Sequence, residues 1–325
     1  MAEAAAVAAV DQDPAPEAVE EDTRDWAEMS PDLLSVVFEK VGALGVLYAA
    51  QAVCPAWRRV SLQPQLWKSI DMRNPWQPWD LMDSDEFDLE RIARNAIDRA
   101  DGNLVEISFE YFATDDLIKY VSERTNILKC LRLVSCYQVM DEALTEAAQK
   151  FPLLEELEIS HCSFSTEVLE AIGRLCPQLK CLRLNCRGYL CAPKCDETAI
   201  IIAKHMPGLQ RLQLFGNLLS NDGLQAILDG CPQLESLDIR QCFNVRLEGS
   251  LRKTCLDRIK NLKLPSDPTD DYEFCTELCS YGLDFDDESD GYDAYDYESD
   301  FSEMYDSSFD DSVEYYDFED PYLLL

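Results

Sequence analysis

A six-residue frame, L-x-x-L-x-L, recurs seven times between Leu104 and Leu264 and constrains the chain more tightly than any other feature. It reads Leu104/Ile107/Phe109, Leu128/Leu131/Leu133, Leu154/Leu157/Ile159, Leu179/Leu182/Leu184, Leu209/Leu212/Leu214, Leu234/Leu237/Ile239 and Ile259/Leu262/Leu264. Successive frames start 24, 26, 25, 30, 25 and 25 residues apart, a period that marks stacked supersecondary units. Helical stretches such as Thr166 to Leu175 and Asp222 to Leu228 lie between frames, and several end at a proline, as in Cys176-Pro177, Met206-Pro207 and Cys231-Pro232. Each unit is therefore one strand and one helix, an α/β arrangement that buries its apolar face only by stacking on its neighbours. In four units the position three beyond the last apolar residue is Cys136, Cys162, Asn217 or Cys242, a buried polar-ladder slot.

Strand alternation points the leucines into the core and the residues between them onto the concave face. Those residues are Glu106 and Ser108, Cys130 and Arg132, Glu156 and Glu158, Cys181 and Arg183, Arg211 and Gln213, Ser236 and Asp238, Asn261 and Lys263. One place further come Val134, Ser160, Asn185, Phe215 and Arg240. A solenoid's concavity is its usual recognition side, and arginines and aromatics tend to dominate interface energies. The candidate binding residues are accordingly Arg132, Glu156, Glu158, Arg183, Arg211, Phe215, Asp238 and Arg240. The competing reading is a solvated polar face with no dedicated partner.

Ahead of the repeats, residues 26 to 72 form a second organised stretch. Ser30 is placed to cap orphan amides, Pro31 has no amide to lose at the first helical position, and Asp32 suits the positive end of the helix dipole. Leu33, Leu34, Val37, Phe38 and Val41 then share one helix face, and Gly42 supplies a left-handed stop. Leu44 to Val53 reads as a short buried helix, Pro55 starts a third helix carrying Trp57, and Pro64, Leu66 and Trp67 follow in a turn. Three short helices sit near the lower size limit for independent folding, so the bundle is expected to need a partner surface. If Trp57 is core, Trp57→Ala should cost about 3–5 kcal/mol.

Three segments carry a family resemblance: Met29-Ser30-Pro31-Asp32-Leu33-Leu34, Val53-Cys54-Pro55-Ala56-Trp57-Arg58 and Pro64-Gln65-Leu66-Trp67. Their order and spacing resemble the F-box, whose pattern is Leu-Pro-x-Glu-hydrophobic-Leu, then valine-cysteine-x-x-tryptophan, then Pro-x-Leu-Trp. At the front Met29 stands for leucine and the proline is one place late. Joined to leucine-rich repeats of a cysteine-containing class, the chain resembles F-box/LRR proteins, particularly the plant group with an Asn-Pro-Trp segment after the F-box. The resemblance implies that the F-box docks on a Skp-type adaptor and through it on a cullin scaffold, while the repeats hold an unknown protein substrate for ubiquitination. The adaptor-binding residues it implies are Met29, Pro31, Leu33, Leu34, Phe38, Val53, Cys54, Trp57, Leu66 and Trp67. Such a receptor of an SCF-type ligase works by proximity, with no catalytic residue and no cofactor of its own. The alternative is a non-ligase interaction scaffold built on the same repeats.

Charge divides the chain further. The net charge is −35, yet no Lys or Arg follows Lys263, and residues 264 to 325 hold 22 of the 63 acidic residues. The expected organisation is a disordered tail over 1–24, the F-box over 25–72, a linker with an amphipathic helix over 73–103, repeats over 104–266 and a disordered acidic, aromatic-rich tail over 267–325. Net acidity excludes nucleic acid as a direct ligand, because long-range attraction to phosphate is reversed. No stretch is expected to reach the ~18 apolar residues of a membrane span, and MAEAAAVAAVDQD lacks the basic start of a secretory signal. Fourteen cysteines without such a signal read as free thiols of a reducing compartment, cytoplasm or nucleus.

Enzyme chemistry finds little to work with. The two histidines, His161 and His205, are too few for a histidine-based triad beside a nucleophile and an orienter, and a glycine-rich phosphate loop is lacking. The best zinc candidate, Cys186, Cys191 and Cys195 with His205, is loosely spaced, and the cysteines read as free thiols in a lengthened loop. Nothing around the cysteines marks a depressed thiol pKa.

Overall fold

Eight short strands pair in parallel in the order in which they occur in the chain, β1 to β8. They are β1 Ser69–Met72, β2 Glu106–Glu110, β3 Cys130–Val134, β4 Glu156–Ser160, β5 Cys181–Asn185, β6 Arg211–Gln213, β7 Ser236–Asp238 and β8 Asn261–Lys263. This computed structural model describes residues 26–73, 88–189 and 193–278. The expectations for residues 1–24, for most of the connector after Arg73 and for the tail beyond Leu278 lie outside them. Each β-to-β connection whose residues are described carries a helix, from Leu89–Ala100 through Asp115–Arg124, Asp141–Ala148, Thr166–Leu175, Glu197–His205 and Asn221–Gly230 to Gly249–Arg258.

The strand register follows the sequence frame. Ile107, Leu131, Leu157, Leu182, Leu212, Leu237 and Leu262 stand in one row across the sheet. All but Leu262 are at most 2% exposed, and they pack with helix residues such as Leu117, Leu144, Ile172, Ile202 and Ile227 in one continuous core. The ladder slot behaves as its position requires. Cys136, Cys162, Asn217 and Cys242 each donate to the carbonyl that ends the preceding frame, those of Phe109, Leu133, Leu184 and Leu214 respectively. Two places beyond the frame, Tyr111, Ser135, His161, Gly216 and Gln241 adopt positive φ to turn the strand end towards that slot. Only one of them is glycine, and a Cβ there would meet the Cys186 carbonyl oxygen at 2.4 Å.

The sheet begins earlier than the seven frames indicate. Strand β1 pairs with β2 through Ile70 opposite Ile107 and Met72 opposite Phe109, so Trp67-Lys68-Ser69-Ile70-Asp71-Met72 is an eighth frame at the end of the stretch read as the F-box. The amphipathic helix Leu89–Ala100 is the crossover of that first unit. Asp88 caps its first turn by accepting from the Arg91 amide at 2.8 Å, and Asp101 and Gly102, both with positive φ, end it.

The N-terminal bundle is continuous with this core. Ser30 accepts from the Leu33 amide at 3.4 Å and Pro31 opens the helix Pro31–Gly45, which breaks at Gly42 (φ 79°, ψ 168°). A π-helical turn, Val46–Ala50, and Gln51–Val53 follow. Pro55–Ser61 is the third helix, and Pro64–Trp67 a 3-10 turn. By length and composition the helical run Pro31–Val53 is apolar enough to cross a membrane, which corrects the expectation that no stretch reaches that threshold. The break at Gly42 interrupts the run, and Leu34, Phe38, Val46, Leu47 and Ala50 are buried against the bundle and the first repeat. The partner surface the bundle needs is in part the array: Arg99 of the first crossover helix donates to the Ser61 carbonyl at 3.3 Å and to Gln51 at 2.8 Å, and lies over the Trp67 ring.

Candidate functional site

The bundle sorts the ten residues expected to dock a partner. Leu34 and Phe38 are 1% exposed and Trp67 is 2% exposed. Trp67 also donates from Nε1 to the Ser61 carbonyl at 2.8 Å. These three are core. Met29, Cys54, Trp57 and Leu66 are half-buried, with Trp57 edge-on to Phe38 at 5.5 Å and its Nε1 donating to the Trp26 carbonyl. Pro31, Leu33 and Val53 face solvent, the last two 55% and 61% exposed. Val36, Tyr48 and Leu62, which the sequence reading does not name, are open as well, and Val41, expected on the face of Leu34 and Phe38, is 47% exposed. A signal for one of them was present: Leu33 and Val36, at i and i+3, form a second apolar stripe beside Leu34 and Phe38, and one helix with two such stripes has one for the core and one to spare.

The second surface is the sheet face opposite the helices. One register row runs Asp71, Ser108, Arg132, Glu158, Arg183, Gln213, Asp238, Lys263. Four of the eight candidate residues keep some or much exposure: Arg132, Glu156, Arg183 and Arg211. Arg211 pairs with Glu156 across two strand gaps. The other four are buried, against expectation. Glu158, 1% exposed, is clamped between Arg183 at 3.0 Å and Arg132 at 3.8 Å and accepts from Ser160. A buried carboxylate is tolerated there because both oxygens are satisfied and two guanidinium groups balance its charge.

Phe215, Asp238 and Arg240 are buried for a different reason: the chain's own segment Pro265 to Leu278 lies over the sheet. This corrects the expectation that disorder begins at residue 267. Along the segment Tyr272, Phe274 and Thr276 turn inward while Asp271, Glu273 and Cys275 stay exposed. Tyr272 stacks on Phe215 with ring centroids 3.6 Å apart, and Phe274 sits edge-on to His161 at 5.3 Å. Arg240, 1% exposed, is gripped by Asp238, by the Pro268 carbonyl at 2.9 Å and by Asp271. Gln241 donates to the Thr276 carbonyl at 2.8 Å, and Glu273 reaches Arg73, just past β1, at 3.0 Å. Hydrogen bonds from Lys263 and Arg240 hold the Asp271 carboxyl at about 2, below its ordinary 3.8. Burial pushes the Tyr272 hydroxyl well above its ordinary value.

Most of the described cysteines are buried. Burial pushes Cys130 and Cys176 up to about 11 and Cys136 and Cys162 up to about 12, so these thiols stay protonated and unreactive. Cys186 and Cys195 are exposed and unbridged, and Cys191 lies outside the described residues. No group of three or more His, Cys, Asp or Glu among the described residues is arranged to hold a metal ion.

Comparison with known proteins decides the family. The chain is 42% identical over 290 residues to F-box protein SKIP19 of Arabidopsis thaliana, covering 87% of this chain and 93% of that one. The chain belongs to the F-box/LRR-repeat family. A family model described as "FBD-associated F-box protein At5g56370, LRR repeats" matches residues 185–262 of this F-box/LRR protein. Putative F-box/LRR-repeat protein 23 of Arabidopsis thaliana is 46% identical over 251 residues, 76% of this chain, and the match spans only 55% of that relative's length. Among solved structures, the yeast Rad7 and Elc1 complex aligns over 73% of each chain at 15% identity and a TM-score of 0.39.

Proposed function

We propose that this F-box/LRR protein is a non-catalytic substrate receptor of an SCF-type ubiquitin ligase, its F-box docking on a Skp-type adaptor and its repeats selecting the protein to be modified. One observation carries the reading. Leu33, Val36, Val41, Tyr48, Val53 and Leu62 stay exposed on a bundle whose core is already closed by Leu34, Phe38 and Trp67. Six large apolar side chains left exposed on so small a module support a partner site there. The receptor acts by raising the effective concentration of ubiquitin-charged enzyme around substrate lysines, not by stabilising a transition state.

The test is reconstitution. Full-length protein mixed with a Skp-type adaptor and a cullin should elute as one complex, with cullin retained only when adaptor is present. Absence of an adaptor complex removes the proposal. An adaptor complex that never recruits cullin instead favours the interaction scaffold without ligase activity.

A further inference from the structure

The sheet face meant to select a substrate already has an occupant, and the occupant reports what the face binds. Its core, Asp271-Tyr272-Glu273-Phe274, places two aromatic rings inward and two carboxylates outward, each matched by the sheet. Phe215 takes the tyrosine ring and His161 the phenylalanine ring. Lys263 and Arg240 take one carboxylate and Arg73 the other. Five cations stand here, Arg73, Arg132, Arg183, Arg240 and Lys263, against three acids of the sheet region, Asp71, Glu158 and Asp238. Around the pocket under the segment these five cations exceed their three acidic partners by two charges, which Asp271 and Glu273 balance.

The fit is incomplete. An open pocket of about 340 Å³ lies between the segment and the arginines. Among the described residues, no protein atom hydrogen-bonds to the buried Tyr272 hydroxyl or Arg132 Nε. The outward side chains of Asp271 and Glu273 are 61% and 52% exposed, so the acid half of each ion pair faces solvent.

We infer that the open face of the sheet is a receptor groove for an extended acidic-aromatic peptide of a partner protein, with an acid-Tyr-acid-Phe core, and that residues 267–278 are a tethered copy that such a peptide must displace. As a substrate class this rests on the receptor reading above; as a peptide groove it stands on the contacts alone. The tether sets the threshold. A segment joined to β8 by a few residues competes at an effective concentration on the order of millimolar, so an outside peptide binds weakly until the segment is released.

The probe is a fluorescent synthetic peptide of residues 266–278 carrying Cys275→Ser, read by anisotropy against full-length chains. Wild-type protein should bind it weakly, and Tyr272→Ala protein about tenfold more tightly, because the resident copy has lost its anchor. Adding Lys263→Glu to Tyr272→Ala should abolish the gain, and a peptide with its own tyrosine replaced by alanine should not bind. If Tyr272→Ala protein fails to fold, Asp271→Lys, at an exposed position, releases the segment instead and decides the matter. No gain in either variant, or equal binding of the tyrosine-free peptide, overturns the inference. Concentration-dependent self-association of the wild-type chain that the peptide dissolves also overturns it, by assigning the groove to a second copy. Adaptor capture measured on the same chains separates the two readings: loss of adaptor binding with peptide binding intact removes the ligase receptor and leaves the groove, and the reverse result does the opposite.

Discussion

Tyr272 lies flat on Phe215, with ring centroids 3.6 Å apart and planes within 3° of each other, and this contact closes the repeat face with the chain's own sequence. Arg240 stacks its guanidinium near both rings, 5.5 Å from Phe215 and 5.9 Å from Tyr272. The tyrosine hydroxyl makes no hydrogen bond to a protein atom among the described residues. Ring and hydroxyl should therefore separate on mutation. Tyr272→Phe removes an unsatisfied polar atom and should stabilise the segment by about 1 kcal/mol. Tyr272→Ala loses the stacked ring and its buried area and should weaken the segment by about 2 kcal/mol. Amide exchange across residues 269–276 checks both; slower exchange in Tyr272→Ala than in wild type would contradict the stacking account.

Two tryptophans that look equivalent in sequence should differ in consequence. Trp67 is 2% exposed, donates to the Ser61 carbonyl and lies beneath Arg99, so Trp67→Ala should cost about 3–5 kcal/mol. Trp57 is only half-buried, and its truncation should cost about 1–2 kcal/mol, below the figure expected had it been core. Urea unfolding of the two variants gives the comparison directly, and a larger loss at Trp57 would reverse the assignment of core and rim.

Trp67 also shows how far the fold was legible from residues alone. Seven frames announced themselves because leucine or isoleucine filled every position but Phe109 at a period near 25 residues. The eighth, Trp67-Lys68-Ser69-Ile70-Asp71-Met72, has tryptophan and methionine at its ends and stands 37 residues ahead of Leu104, so period and composition both hid it. The strand alternation correctly separated core leucines from face residues. It could not reveal that Phe215, Asp238 and Arg240 are covered, because the covering segment is acidic enough that charge alone argues for solvation. What overrides that is the pairing of Asp271 with Lys263 and Arg240 and of Glu273 with Arg73, contacts between residues 8 to 200 positions apart. Such pairing is invisible until the strands are stacked.

Acid should open the segment. Lys263 and Arg240 lower the Asp271 carboxyl to about 2 from an ordinary 3.8. A carboxyl with a depressed folded pKa stabilises the closed form fully above its unfolded value, and that contribution fades as pH falls from about 4 through about 2. The ring-current-shifted resonances of the Phe215–Tyr272 stack should move towards free values in that window. Asp271→Asn protein should show weaker closure at neutral pH and no Asp271-linked change between pH 4 and 2. An identical titration in the variant would show that another group governs the opening.

Leu33 is the most direct probe of the central claim. Its side chain is 55% exposed while its neighbour Leu34 is buried at 1%, so Leu33→Glu leaves the bundle core untouched and should change stability by no more than about 0.5 kcal/mol. If the exposed apolar side chains dock a Skp-type adaptor, the same change should weaken adaptor binding by about 2 kcal/mol or more, roughly thirtyfold. The deciding measurement is the equilibrium affinity of full-length wild-type and Leu33→Glu protein for the adaptor, taken with their melting curves. Tight wild-type binding lost in a variant that melts normally is the expected result. Equal affinity of the two chains, or no wild-type binding at all, would contradict it.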